Sequence, residues 1–124
     1  MNDLEQNIYW LRQVEEIVQS VAESQLSDEQ LNKTQIIILY AINNLQKNVT
    51  ISKEVKKFGI GPAVCSKNVG ILLRLRLIER CENSQDRRRM DLSLTAKGKR
   101  ALRQAANQLS DLIKRAQITV KEIL

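Results

Sequence analysis

The side chains best equipped for chemistry are arginines. Arg87, Arg88 and Arg89 follow one another in a polar tract that runs from Asn83, with one carboxylate, Asp86, beside them. A guanidinium is a planar fork of donors that stays charged at any working pH, which suits phosphate and base edges. An Asp two residues before an Arg at a hairpin tip can hold that fork in one pose. A second constellation lies upstream, where Ala63, Ser66, Lys67, Gly70 and Arg74 recur at the spacing of one helical stripe. An ordinary exposed face would carry long Glu and Lys side chains; small residues around two cations instead let a helix axis approach a partner closely. There is no histidine, and only Cys65 and Cys81 offer sulfur. Histidine-based triads, zinc fingers and most general acid–base schemes are thereby removed. No nucleophile sits near a credible base, so neither an enzyme nor a metal or cofactor is expected.

The charge distribution points the same way. The formal charge is +6, yet residues 53–103 hold 14 Lys/Arg against 5 Asp/Glu, while the rest of the chain holds 6 against 9. A basic segment between near-neutral or acidic ends resembles an electrostatic footprint for a polyanion, with double-stranded DNA the leading partner. On charge alone a solvated face without a partner is an equal reading.

The elements that must position these groups follow from size and pattern. A chain of 124 residues is one fold. Apolar residues are 43% and charged residues 27%, a globular balance, and no run reaches the ~18 apolar residues of a membrane span. The start Met1-Asn2-Asp3-Leu4-Glu5 carries no export signal, so a cytoplasmic location is expected. Aromatics are 3%, and Gly and Pro are sparse, which favours a mainly α fold.

From Leu4 to Val21, Leu4, Ile8, Leu11 and Val18 form one helical stripe, and Trp10, Val14, Ile17 and Val21 an adjoining one. A face this wide predicts contact with the chain's own domain and with a second subunit. After a linker over Gln25–Asn32, Ser27-Asp28-Glu29-Gln30 offers a helix cap and an acidic first turn. Residues 36–42 are apolar on every side, as a buried strand or a buried helix would be; Leu31 and Leu45 continue helical spacing, which selects helix. Thr50 caps a short helix with Ile51, Val55 and Phe58 at i, i+4 and i+7, ending at Gly59. Pro62 then suits the first position of a helix over 62–76 with Cys65, Val69, Leu72 and Leu73 inward. Two helices joined by a three-residue Gly-containing turn make a helix-turn-helix whose second member enters a major groove.

Residues 78–81 and 90–94 alternate with period two and predict a β-hairpin. A helix-turn-helix followed by a basic hairpin is a winged helix, and arginines on the wing, residues 82–90, suit a narrow minor groove. Thr95 caps a long helix in which Gly98, Leu102, Ala105, Leu109, Leu112, Ala116, Thr119 and Ile123 make a heptad-like seam. The expected fold class is therefore mainly α with a small β-hairpin: a winged helix-turn-helix over about 31–94, flanked by dimerisation helices at 1–24 and 95–124. In a homodimer the two recognition helices would stand about 34 Å apart on a pseudo-palindromic site.

The wing and the residues after it, Asp86-Arg87-Arg88 through Ser93-Leu94-Thr95 and Lys97-Gly98, fit D-R-R-x-x-x-x-S-L-T-x-K-G and resemble the multiple antibiotic resistance regulator (MarR) family. The length is similar to that of its compact staphylococcal accessory regulator (SarA) relatives. The resemblance implies a dimeric winged-helix transcription factor, commonly a repressor released by a small molecule or an oxidant. It also implies that Ala63, Val64, Ser66 and Lys67 meet base edges and phosphates, that Arg88 enters the minor groove and that Asp86 orients it. Arg87 and Arg89 are assigned to phosphate. Arg76 stands where the family usually has a glycine, and Leu75 replaces a usual polar residue. Cys65 and Cys81 are both expected to pack in the core, and Tyr9 and Trp10 to be interface aromatics rather than the lining of an effector crevice. Two other readings compete: a nucleoid-associated or plasmid-partition protein that coats DNA with little sequence preference, and a module whose basic face meets an acidic protein.

Overall fold

The computed structural model describes residues 2–46, 49–83, 85 and 90–124, with Met90 described by its backbone alone. Among the described residues, five α-helices and one hairpin follow in the order α1 (Asp3–Ala22), α2 (Lys33–Asn43), α3 (Ile51–Val55), α4 (Pro62–Arg74), β1 (Ile78–Glu82), β2 (Met90–Leu94) and α5 (Ala96–Ile123). This is the expected mainly helical winged helix. Among the described residues no helix is long and apolar enough to cross a membrane.

The core forms where α2, α3, α4, the hairpin and the start of α5 converge. Ile38 and Leu39 of α2, Val55, Leu72, Leu77 and Ile78 are fully buried there. The residues flanking 36–42 had selected helix over strand, and α2 is indeed a helix enclosed on most sides, with only Tyr40 of that run exposed.

The start of α2 differs from expectation. Ser27-Asp28-Glu29-Gln30 does not cap a helix; Ser27 and Gln30 adopt positive φ, 66° and 54°, inside a tight turn. Leu26 and Leu31 close that turn through reciprocal backbone hydrogen bonds of 2.8 Å. Asn32 is the cap: its Oδ1 accepts from the Gln35 amide at 2.9 Å, and Gln35 Oε1 accepts from the Asn32 amide at 3.1 Å. This reciprocal capping box satisfies two otherwise orphaned donors. Long-range contacts hold the turn in place, since the Ser27 amide donates to Gln108 Oε1, and Gln104 holds both the amide and the carboxylate of Asp28.

Thr50 caps α3 as expected. The continuation to Phe58 is a 3₁₀ turn over Lys56–Phe58, and its tighter winding swings Phe58 to the surface instead of the core. Gly59 then takes φ 77°, which a β-carbon would resist, and Pro62 opens α4.

Candidate nucleic-acid interface

The solvent face of α4 is set by its core face. Cys65 and Leu72 are buried on one side, and the side opposite shows Ala63, Ser66, Lys67 and Arg74 to solvent, with Gly70 half-buried between them. Val64 flanks the stripe and is 48% exposed. Among the described residues the Lys67 and Arg74 side chains make no ion pair, whereas Lys57 and Lys97 are held by Glu54 and Glu29. The stripe read from spacing is thus an open surface of small residues around two uncommitted cations.

The helix ends at Arg74, two residues short of the expected 76, in a Schellman motif. The Leu77 amide donates to Leu72 O at 3.0 Å and the Arg76 amide to Leu73 O at 3.1 Å. Leu72 and Leu77, both fully buried, supply the apolar contact that accompanies this motif. Arg76 adopts φ 60°, the left-handed conformation glycine would take, at a cost of about 1–2 kcal/mol. The Schellman turn thus closes with an arginine in the position that favours glycine.

The T-x-K-G segment has a physical role here. Three successive carbonyls after α4 are taken up by the start of α5. Leu75 O accepts from Lys97 Nζ at 3.0 Å, Arg76 O from Thr95 Oγ1 at 2.7 Å, and Leu77 O from the Thr95 amide at 3.0 Å. Thr95 Oγ1 also accepts from the Gly98 amide at 3.0 Å, capping α5. A β-carbon at Gly98 would lie 1.9 Å from Leu77 O, so only glycine permits this approach. The clasp joins the end of α4, the base of the hairpin and the root of the long helix into one unit, and Lys97 extends it to Glu29 at 3.7 Å.

In the hairpin, Ile78 pairs with Leu94, Arg80 with Leu92 and Cys81 with Asp91. Leu92 and Leu94 therefore share the core face with Ile78, while Cys81 lies on the other face with Glu79, Asp91 and Ser93. At the wing base Asn83 Nδ2 donates to Asp91 Oδ2 at 3.0 Å, and Asn83 Oδ1 accepts from the Gln85 amide at 2.8 Å. Asp86, Arg87, Arg88 and Arg89, the residues expected to grip the minor groove and phosphate, lie outside the described residues.

The two cysteines part company. Cys65 is buried as expected, and desolvation raises its thiol pKa. Cys81 is exposed rather than in the core, its Sγ 3.2 Å from Ser93 Oγ. A disulfide-exchange reagent is therefore expected to titrate one thiol in the native protein and two after denaturation; two fast-reacting thiols in the native state would contradict this packing.

Helices α1 and α5 lie against each other. Trp10, Val14, Ile17 and Val21 are half-buried towards this contact, whereas Leu4, Ile8, Leu11 and Val18 are 51–68% exposed. The two stripes divide as their spacing predicts: one is used within the chain and one is left open. A crevice of about 470 Å³ between the helices is lined by Ile17, Val21, Leu112, Arg115 and Ala116 among others. Neither Tyr9, which is exposed, nor Trp10 lines it.

Spacing and composition assign no role to Gln35 or Asn68, yet both shape this surface. Asn68 had a signal, since it falls in the inward arc of α4 between Cys65 and Leu72, where an unpaired amide would be costly.

No family model matches the sequence, and no curated protein does either. Solved structures do. A mutant of MepR from S. aureus bound to an oligodeoxyribonucleotide is similar with TM-score 0.66 and 22% identity, over 91% of this chain and 82% of that one. The PcaV transcriptional regulator from Streptomyces coelicolor, in complex with its natural ligand, gives 0.64 and 20%, over 84% and 72%. A Bacillus cereus protein described as a MarR-like transcription regulator gives 0.64 and 21%, over 93% and 83%. The chain has the winged-helix fold of these regulators.

Proposed function

We propose that this chain is a homodimeric, sequence-specific DNA-binding transcriptional regulator that acts as a repressor by occupying its site. Helix α4 reads the major groove through Ala63, Val64, Ser66 and Lys67, with Arg74 near the backbone. The wing places Arg88, steadied by Asp86, in the minor groove, and Arg87 and Arg89 on phosphate. The observation that carries this reading is the open α4 stripe, clasped at its C-terminal end to the base of an arginine-bearing hairpin. The fold it shares with an oligodeoxyribonucleotide-bound MepR supports it. The unused apolar stripe of α1 supports the dimer, and a small-molecule effector is the regulatory input that the ligand-bound PcaV suggests.

Fluorescence anisotropy with a pool of random genomic duplexes, repeated across salt, tests the reading. Two copies of Lys67, Arg87 and Arg89 supply about six phosphate contacts, so affinity is expected to fall roughly 10³-fold or more between 50 and 200 mM salt. Indifference to salt would count decisively against it. Specific binding several orders of magnitude tighter than random binding separates a regulator from a DNA-coating protein, for which that ratio stays near one. Lys67→Ala removes one contact from each subunit and is expected to lower the salt slope by about two if the ammonium meets phosphate. If it meets a base, the expected loss is about 1–3 kcal/mol per half-site, with relaxed choice at one position in each.

A further inference from the structure

The face of α2 that supports α4 is apolar apart from one buried pair. Gln35 and Asn68 are 9% and 8% exposed, and Gln35 Nε2 donates to Asn68 Oδ1 at 3.3 Å. Asn68 Nδ2 donates in turn to Val64 O at 2.9 Å, within the segment that presents Ala63, Val64, Ser66 and Lys67. At the other end Gln35 is locked by the capping box, where its Oε1 accepts from the Asn32 amide and its own amide donates to Asn32 Oδ1. Four hydrogen bonds thus run without a break from the N-terminus of α2 to a main-chain carbonyl of α4. Among the described residues no buried side-chain polar atom is left unpaired.

Ile38, Leu39, Cys65 and Leu72 belong to one buried apolar cluster that holds α4 against the core, and such contacts are non-directional. Hydrogen bonds are directional, and a buried amide that slips from its partner is left desolvated and unpaired. Rotating α4 by roughly 10° about its axis moves a side-chain tip some 6 Å from that axis by about 1 Å, enough to break a hydrogen bond to a base edge. A buried polar pair adds little net stability, but a slip that parts it is penalised.

We infer that Gln35 and Asn68 are positioning residues that fix the rotational setting of α4, and thereby its discrimination between DNA sequences, without touching DNA. The inference rests on the regulator reading above. Its test compares two duplexes, one selected by the wild-type chain from a random pool and one of random sequence. In Gln35→Met/Asn68→Leu, which replaces the pair by apolar side chains of similar size, Tm is expected within a few degrees of the wild-type value, the loss of the Gln35 acceptor for the Asn32 amide being the main cost. Affinity for the random duplex should stay within about twofold, and the selected-to-random ratio should fall at least tenfold. Gln35→Glu is the second variant, because it keeps the acceptor for the Asn32 amide but turns the donor facing Asn68 Oδ1 into a carboxylate oxygen that repels it; the same loss of ratio is expected. A purely structural role would move Tm and both affinities together. A ratio retained within threefold in either folded variant overturns the inference. If the wild-type chain itself shows no preference, the regulator reading and this role fall together, and that failure is visible without any variant.

Discussion

Gly98→Ala is expected to destabilise the protein by about 3–5 kcal/mol and to lower Tm by roughly 10–20 °C. The new methyl carbon would sit 1.9 Å from Leu77 O and 2.9 Å from Leu77 C, both main-chain atoms that no rotamer change can move aside. Relief requires α5 to lift from the end of α4. That opens the Thr95 cap, itself worth about 1 kcal/mol, and strands the carbonyls of Leu75, Arg76 and Leu77 that the clasp satisfies. Overpacking alone costs about 1–3 kcal/mol, and the lost cap and unpaired carbonyls bring the sum to the range given. Gly70→Ala is the control. Its β-carbon would meet nothing within 4 Å, and alanine is the better helix former by about 1 kcal/mol, so this change should raise stability. Urea unfolding of the two variants therefore separates in sign, and a Gly98→Ala protein as stable as wild type would remove the clasp from the account.

The contrast between these glycines shows what a sequence can carry. Helical spacing alone placed the Ala63–Arg74 stripe outward, because Cys65 and Leu72 had to face inward and the helix period leaves no freedom after that. The same holds for α1, whose two stripes are used as their separation predicts. The pattern was legible even where it was misread. Cys81 follows Ile78 by an odd number of residues, so it points away from the core by strand alternation alone, and treating cysteine as generically buried obscured this. Other features depend on partners distant in the chain. The Ser27–Gln30 segment has the composition of a helix start, yet Gln104 and Gln108, some eighty residues away, hold it as a turn. Phe58 shows a helical spacing that the 3₁₀ winding of its own turn cancels. The T-x-K-G segment was recognisable by resemblance, but its reason, three carbonyls just after α4 meeting the root of α5, exists only in three dimensions.

The double variant Ile8→Asp/Leu11→Asp is expected to produce a folded monomer whose affinity for its DNA site falls by about 10²–10⁴-fold. Both side chains lie on the stripe that α5 does not cover, 51% and 60% exposed, so the charges replace no buried contact within the chain and helical circular dichroism should persist. In the proposed dimer the same positions are desolvated, where an unpaired carboxylate costs several kcal/mol. Two copies on one duplex bind as a linked pair, the second half-site being engaged at a high effective concentration; a monomer loses that advantage while keeping every contact of its own α4 and wing. Analytical ultracentrifugation and anisotropy on the same preparations read the two effects. A wild-type chain that sediments as a monomer, or a variant that still sediments as a dimer, would show that this stripe is not where the subunits meet. A variant that is monomeric yet binds DNA undiminished would instead separate recognition from pairing, and place the affinity within one α4 and one wing.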